Sequence, residues 1–352
     1  KKTIKEMIQR TLDGNPYFAE KKFPKVNFTG NKRKVVDWIF ENMPGGGKTF
    51  FDAFSGGCSV SYEAKKRGYK VITNDVLKIN QLIAKSFIEN KNVRLSGDDC
   101  DVIFSGRPVK GFMFKNYSNV LFYPEECMQL DQCRRNVEKL KGPTKKAMAL
   151  VLLRRAMIRK MPYSRFNIRW SKVDQLRDEE FSYAHYGRKR AYHNETIEEH
   201  FRGNLKNYND AVFDNGEDNK SYCSDVFALL PKITADIIYL DPPYPGTMND
   251  YHSFYGVLDE YVKSRKIRPF GNNFTGREPT LMLFEKMFSG LKNFKHCLLS
   301  YNNNSYPSKE VMLTMMRKRA KSVRVVERKM NYQITGKREK NTNREYLFIM
   351  ET

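Results

Sequence analysis

Asp241-Pro242-Pro243-Tyr244 sets a carboxylate, two ring-locked backbone units and an aromatic face directly after an apolar run, Ile237-Ile238-Tyr239-Leu240. The run reads as a buried strand, so the four residues stand at its carboxyl end. An exocyclic amine of a nucleobase is a poor nucleophile, because its lone pair is delocalised into the ring. Two acceptors, one on each N–H, favour a pyramidal nitrogen and free that pair. The Asp241 carboxylate can supply one acceptor and the Pro242 carbonyl the other. Pro243 restricts Pro242 to extended backbone and so fixes where the carbonyl points. Tyr244 offers a face on which an extruded base can stack, a contact worth about 1–3 kcal/mol.

Such chemistry needs an electrophile beside it. Phe50-Phe51-Asp52-Ala53-Phe54-Ser55-Gly56-Gly57 puts a glycine turn where a strand enters a helix. Glycine lets the backbone approach a ligand closely, and ligands of open α/β sheets lie outside the carboxyl ends of strands. Asp75, with Val76 after it, ends the next strand, where a carboxylate meets a ribose hydroxyl pair. Together these fit an adenosine-bearing ligand. Asn27-Phe28-Thr29-Gly30-Asn31-Lys32 precedes a helix, and a Lys at a helix N-terminus suits a carboxylate such as the amino-acid end of a methionine-type ligand. Phe28 or Phe54 can face the ligand. Gly45-Gly46-Gly47-Lys48-Thr49 is not a P-loop: the first glycine of that motif would fall on Asn42, and the segment precedes a strand. GxGxxG is absent as well.

The elements that must position these residues follow a strand–helix rhythm. Asn31–Met43 has one apolar helical face, Thr49–Phe54 reads as a strand, Ser59–Arg67 as a helix closed by Gly68, and Tyr69–Thr73 as the next strand. This βαβ unit builds a doubly wound sheet. Residues 1–24 read as a helix and an extended lead-in. Residues 95–215 carry basic clusters and few strand-like runs, with Thr144–Met161 a strong helix candidate stopped by Pro162. The rhythm resumes near Ser221, with strands at Ile237–Leu240, Lys295–Tyr301, Ser322–Arg328 and Glu345–Met350 and a helix at Thr280–Leu291. The last two strands are expected to pair as an edge hairpin joined by a polar, basic connection. Asn249–Tyr255 reads as a mobile loop. The architecture expected is one α/β domain interrupted by a basic insertion.

The chain has 352 residues with 40% hydrophobic, enough for a real core. Its formal net charge of +23 self-repels unless a polyanion is near, which points to nucleic acid. No apolar run approaches the length of a bilayer span, and the first residues lack the apolar core of a signal peptide, so a membrane partner is not expected. The six cysteines form no CxxC pair and no His cluster accompanies them, which argues for reduced thiols and against zinc.

Together these segments resemble the S-adenosylmethionine-dependent DNA adenine-N6 methyltransferases of the Dam-like (D12) group. Phe28–Lys32 looks like motif X, Asp52–Ser59 like motif I, Asn74-Asp75 like motif II, Ser224-Asp225-Val226 like motif III and Asp241–Tyr244 like motif IV. Cys58 stands where the family often has Gly. The resemblance implies a Rossmann-like α/β methyltransferase fold with a mixed central sheet and an inserted, mainly helical target-recognition domain. The catalytic domain would occupy 1–95 and 216–352 and the insertion 96–215. It implies Asp241, Pro242, Pro243 and Tyr244 as catalytic residues. It also implies S-adenosylmethionine, and no metal, held by Phe28, Lys32, Asp52, Ala53, Phe54, Ser55, Gly56, Asp75, Val76, Asp225 and Val226. The acid of motif III would meet the adenine amine of the donor.

The insertion interleaves Lys145, Lys146, Arg154, Arg155, Arg159 and Lys160 with aromatic residues, a composition suited to phosphate and base contact; Arg154 and Arg155 fit equally the flank of a helix buried in the insertion. Arg165, Asn167, Arg169, Arg188, Lys189, Arg190, Tyr251, His252, Lys337 and Arg338 are the candidate DNA contacts. The partner expected is double-stranded DNA, bound by a monomer in a bacterial or phage-infected cytoplasm, with a restriction endonuclease encoded alongside. The competing readings are an N4-cytosine, RNA or protein-amide methyltransferase of the same fold, and a catalytically silent DNA-binding module. The leading Asp241 argues against the first, and the intact Asp52, Asp241, Pro242 and Tyr244 against the second.

Overall fold

The structure, a computed structural model, describes residues 9–10, 14, 16–28, 30–190, 195–243, 245, 251–268, 274, 276–329 and 343–352, with only the backbone of 9, 10, 251 and 252. The short pair β1 (Gln9–Arg10) and β2 (Pro16–Tyr17) is antiparallel. The central sheet contains β3 (Thr49–Asp52), β4 (Lys70–Asp75), β5 (Lys220–Cys223), β6 (Ala235–Leu240), β7 (Phe294–Asn302), β8 (Ser322–Lys329) and β9 (Arg344–Glu351). Their order is β5-β4-β3-β6-β7-β9-β8. Of these strands β9 alone runs against the others, paired antiparallel to both β7 and β8. The sheet is therefore mixed, and the hairpin expected from the last two apolar runs is present, with β8 at the edge.

Strands buried on both faces explain the continuous apolar runs. Alternate residues divide between two cores. Phe50, Ile237, Leu298 and Leu347 face one side. Phe51, Ile238, Leu299 and Phe348 face the other, where they meet Phe284 and Met287 of helix α13 (Arg277–Ser289) and Met312 of α14 (Lys309–Arg317). The first core continues without a break into α7 (Pro143–Arg159), through Met148, Leu152, Met157 and Ile158. The segment 96–215 is helical among its described residues: α4 (Gly97–Phe104), α5 (Phe112–Tyr117), α6 (Pro124–Val137), α7, α8 (Trp170–Arg177), α9 (Glu179–Tyr186) and α10 (Ile197–Asp210). It packs on the first face of the sheet. Its two ends are clasped, since Asn209 Oδ1 accepts from Leu95 N at 3.1 Å and Asn209 Nδ2 donates to Leu95 O at 2.8 Å.

Some expectations need correction. The helix expected over Asn31–Met43 is shorter, α1 (Val36–Glu41), because Asn31–Val35 turns first, with Val35 N donating to Lys32 O. Lys32 therefore lies ahead of the helix rather than on its first turn. The loop expected at Asn249–Tyr255 instead contains the start of α12 (Tyr251–Lys263), whose buried face of Phe254, Tyr255, Leu258 and Tyr261 becomes periodic only after its polar first turn. The helix expected near the amino end falls largely outside the described residues. The helix α3 (Lys78–Ala84) lacks a side-chain cap of its own, and the buried Asp259 of α12 accepts from its Lys78 and Ile79 N–H groups at 2.8 and 2.7 Å. No described helix is long and apolar enough to cross a membrane.

Candidate active site

The strand order reverses direction at β3, which has β4 on one side and β6 on the other, and this is where open α/β sheets bind ligands. Asp52 ends β3, Asp75 ends β4, Asp225 follows β5 and Asp241 follows β6. Four adjacent parallel strands thus deliver four carboxylates to one edge of the sheet. The register Asp52↔Tyr239 sets Asp241 just beyond Asp52, and Ala53 N donates to Tyr239 O at 3.1 Å.

The turn after β3 is shaped by contacts that only glycine permits. Gly56 has φ +46, and a Cβ there would lie 2.8 Å from Phe28 Cε1. Phe28 is thereby wedged over Gly56 and Gly57, and its other face stacks on Tyr255 of α12 with centroids 4.9 Å apart. The helix α2 (Ser59–Lys66) then begins from Cys58, itself in left-handed backbone. Asp75 accepts from Gly56 N and Leu77 N, both at 2.8 Å, so its carboxylate fastens the turn to β4. Asn74, buried at 2%, bridges three loops: its Nδ2 donates to Ala53 O and Ser224 O, and its Oδ1 accepts from Ser224 N. Val226 starts α11 (Val226–Leu229), and Asp225 caps it by accepting from Phe227 N. Phe54 meets Phe274 edge-on at 5.9 Å.

Lys32 reaches across this edge. Its Nζ lies 2.8 Å from Asp241 Oδ1 and 2.7 Å from Oδ2, and also donates to Gly30 O at 3.2 Å. The lysine that sequence assigns to a ligand carboxylate here meets the protein's own catalytic candidate. Burial works against the Lys32 ammonium, but Asp241, Glu345 and Asp52 outweigh it and hold its pKa above the ordinary value. Burial also raises the Asp241 carboxyl, and Lys32 opposes that rise. Pro242 is buried, and Tyr306 N donates to Pro245 O at 3.1 Å, which anchors the chain just past the tetrad.

The acid-rich edge suits a cation. Asp52 is 1% exposed; its Oδ2 accepts from Ser61 Oγ at 2.5 Å, while Oδ1 has no hydrogen-bond partner among the described residues. Burial pushes its pKa to about 7, with Asp241 and Asp75 adding to the rise. Burial pushes Asp75 to about 6. A buried acceptor with no described partner and two raised carboxyls are what a positively charged ligand would relieve. Among the described residues no group of His, Cys, Asp and Glu could hold a metal ion.

The candidate DNA contacts spread over one end of the insertion. Asn167, Arg169, Arg188 and Lys189 are exposed, and Arg165 and Arg190 partly so. Arg165 lies over Tyr163 at 5.7 Å and Arg190 over Tyr186 at 4.0 Å, and both rings are exposed. Lys189 pairs with Glu179 at 2.7 Å. Arg154, Arg155, Lys160 and Phe166 do not belong to that surface. All four are buried, so Arg154 and Arg155 of α7 face inward. Tyr244, Lys337 and Arg338 lie outside the described residues, as do the side chains of Tyr251 and His252. Sequence reasoning missed Ser61, Tyr255 and Glu345, set Arg154 among the basic residues suited to DNA, and named Asn74 only as part of a motif. Tyr255, Glu345 and Arg154 act on groups distant in sequence, which local spacing does not mark.

A family model for D12 class N6 adenine-specific DNA methyltransferases matches residues 28–315. The chain is 53% identical over 330 residues to the Type II methyltransferase M2.HphI of Haemophilus parahaemolyticus, covering 94% of this chain and 98% of that protein. It is 24% identical to the Type II methyltransferase M.CviAII of Paramecium bursaria Chlorella virus 1, over 93% of this chain and 98% of that protein. It is also 24% identical to the Type II methyltransferase M.FokI of Planomicrobium okeanokoites, over 93% of this chain and 52% of that protein.

Proposed function

The chain belongs to the D12 class of N6 adenine-specific DNA methyltransferases, and from that premise we propose that Asp241, Pro242, Pro243 and Tyr244 are the tetrad that receives the flipped adenine. The observation that carries this reading is the placement of Asp241 at the end of β6, beside the glycine turn of β3 and in contact with Lys32. The donor implied by the family is S-adenosylmethionine, which when bound supplies an electrophilic methyl on a sulfonium. Phe28, Asp52, Ala53, Phe54, Ser55, Gly56, Asp75, Val76, Asp225 and Val226 line the edge at which it would sit. Asp52 and Asp75 are the carboxylates best placed to favour its positive charge.

The residues of the chain divide the work as follows. Asp241 must be ionised to accept one N–H of the amine, and Lys32 keeps it so against its burial. The Pro242 carbonyl accepts the second N–H. The nitrogen lone pair then forms the N–C bond as the S–C bond breaks, and the extra proton leaves the amine during or after transfer. No strong base is needed, and the acceleration comes from positioning and a preorganised field. The base must leave the duplex, because its amine is otherwise out of reach. Tyr244 would stack on it.

We assign DNA contact to Arg165, Asn167, Arg169, Arg188, Lys189 and Arg190 of the segment 96–215, with Tyr251, His252, Lys337 and Arg338 approaching from 216–352. The exposed Arg–Tyr pairs support this, since both partners suit phosphate and base contact. The enzyme is expected to act as a monomer in a bacterial or phage-infected cytoplasm, opposite a restriction endonuclease of the same site. Incubating unmethylated DNA with tritiated donor and digesting it to nucleosides tests the reading. Label in N6-methyladenine supports it; label in cytosine, or none, would sink it.

A further inference from the structure

Beneath the glycine turn lies a buried cation that the chemistry above does not use. Arg154, in the middle of α7, is 1% exposed, and among the described residues its hydrogen bonds run to backbone carbonyls and not to a carboxylate. Holding a guanidinium in such a place is costly. Its hydrogen bonds show what it holds. Nη1 donates to Val26 O and Nη2 donates to Asn27 O at 3.0 Å, while Nε has no partner among the described residues. Two more residues of the insertion grip the same stretch. Asn27 Nδ2 donates to Ser164 Oγ at 3.3 Å, and the Tyr208 hydroxyl donates to Lys25 O at 3.4 Å. Asn27 has φ 44, a left-handed conformation that asparagine tolerates better than most side chains. The next residue is Phe28, wedged over Gly56 and Gly57, and the chain then runs on to Lys32 and Asp241.

We propose that Arg154 is a positioning residue for the methyl donor: from the DNA-facing insertion it clamps Val26 and Asn27, and so sets Phe28 against the Gly56–Gly57 turn. This rests on the donor reading of Phe28 and Gly56 given above. The planar fork of arginine spans two consecutive carbonyls, which a lysine ammonium cannot do with the same geometry. Ser164 belongs to the turn between α7 and the partly exposed Arg165, so DNA and donor bear on one short segment. Their binding is therefore linked.

The test is titration calorimetry with S-adenosylmethionine on the wild-type protein, Arg154→Met, Arg154→Lys and Asn27→Ala, together with steady-state methylation of unmethylated plasmid DNA. Arg154→Met is expected to weaken donor binding and raise the donor KM by about tenfold or more, within the usual range of coupling between sites. With donor saturating, kcat should change far less. Arg154→Lys should recover only part of the affinity. Because the substitution removes an unpaired buried charge, the melting temperature should hold or rise. A purely structural role would instead lower the melting temperature and spare the donor KM. If Arg154→Met does not fold, Asn27→Ala, which leaves α7 intact, should still weaken donor binding severalfold. Wild-type affinity in the Arg154→Met protein, or in Asn27→Ala where that is the variant available, overturns the proposal. A wild-type protein that takes up no S-adenosylmethionine would overturn the donor reading and this inference with it.

Discussion

Replacing Lys32 by Met should make catalysis fail at neutral pH and recover as the solution becomes alkaline. The Lys32 Nζ lies 2.7 Å from Asp241, with the two side chains only 10% and 19% exposed. A charge pair about 4 Å apart at an effective dielectric near 20 is worth ~4 kcal/mol. Deleting one member of a buried pair costs ~3–5 kcal/mol, because the other is left uncompensated. Burial already raises the Asp241 carboxyl, and Lys32 is what opposes it. Taking the lower figure of ~3 kcal/mol, the ionised fraction of Asp241 falls by about a hundredfold wherever the carboxyl is protonated. A protonated Asp241 offers the amine one acceptor fewer. The sign follows directly: a carboxyl with a raised pKa regains its charge only as pH climbs, so the acid limb of the rate profile moves to higher pH. Single-turnover methyl transfer at saturating donor and DNA, followed from about pH 6 to about pH 9.5, reads the shift. Loss by the same factor at every pH would refute the reasoning. So would a change confined to the donor KM, which would assign Lys32 to the donor carboxylate.

Three further outcomes are expected. Asp241→Ala should abolish methyl transfer yet leave DNA affinity by gel shift within about twofold, the usual size of an effect away from a contact surface; retained turnover would remove Asp241 from its assigned role. Gly56→Ala sets a Cβ 2.8 Å from Phe28 at φ +46, a strain of ~1–2 kcal/mol before Phe28 moves, so donor affinity should drop about tenfold while DNA binding persists. The raised carboxyls at about 7 for Asp52 and about 6 for Asp75 hold protons that the unfolded chain has released. The ligand-free protein should therefore lose stability, relative to Asp52→Asn, as pH rises from about 4 through about 7, and donor binding should release protons and tighten across the same window. Melting curves with and without donor check both, and a ligand-free melting temperature that climbs relative to Asp52→Asn would contradict the assignment.

The central strands of the sheet are readable because burial on both faces turns them into apolar runs, as in Ile237–Leu240, while the edge strands β5 and β8 are polar and largely exposed. The acids of the site were readable because chemistry and topology both place them just after such runs. Arg154 and Arg155 show where the reading stops. A pair of arginines in a basic stretch fits a surface or the flank of a buried helix, and only the tertiary fold reveals that carbonyls from Val26 and Asn27 receive the Arg154 guanidinium. The helix α12 was hidden for a related reason. Its first turn is polar, and its buried face emerges only from Phe254 onward. Lys32 reads as a charge for a ligand carboxylate because its partner Asp241 lies 209 residues away.

The clasp between Leu95 and Asn209 sets terms for how enzymes of this design can diversify. With the two ends of the intervening segment pinned side by side, the sheet does not register how many residues are spliced between them, and insertions are tolerated where ends meet. New target sequences could then be acquired by exchanging the surface helices wholesale. The freedom is not complete. Any replacement must return a long helix to the same face of the sheet with a forked cation at the place of Arg154, or the graft would read DNA and fail to hold the methyl donor.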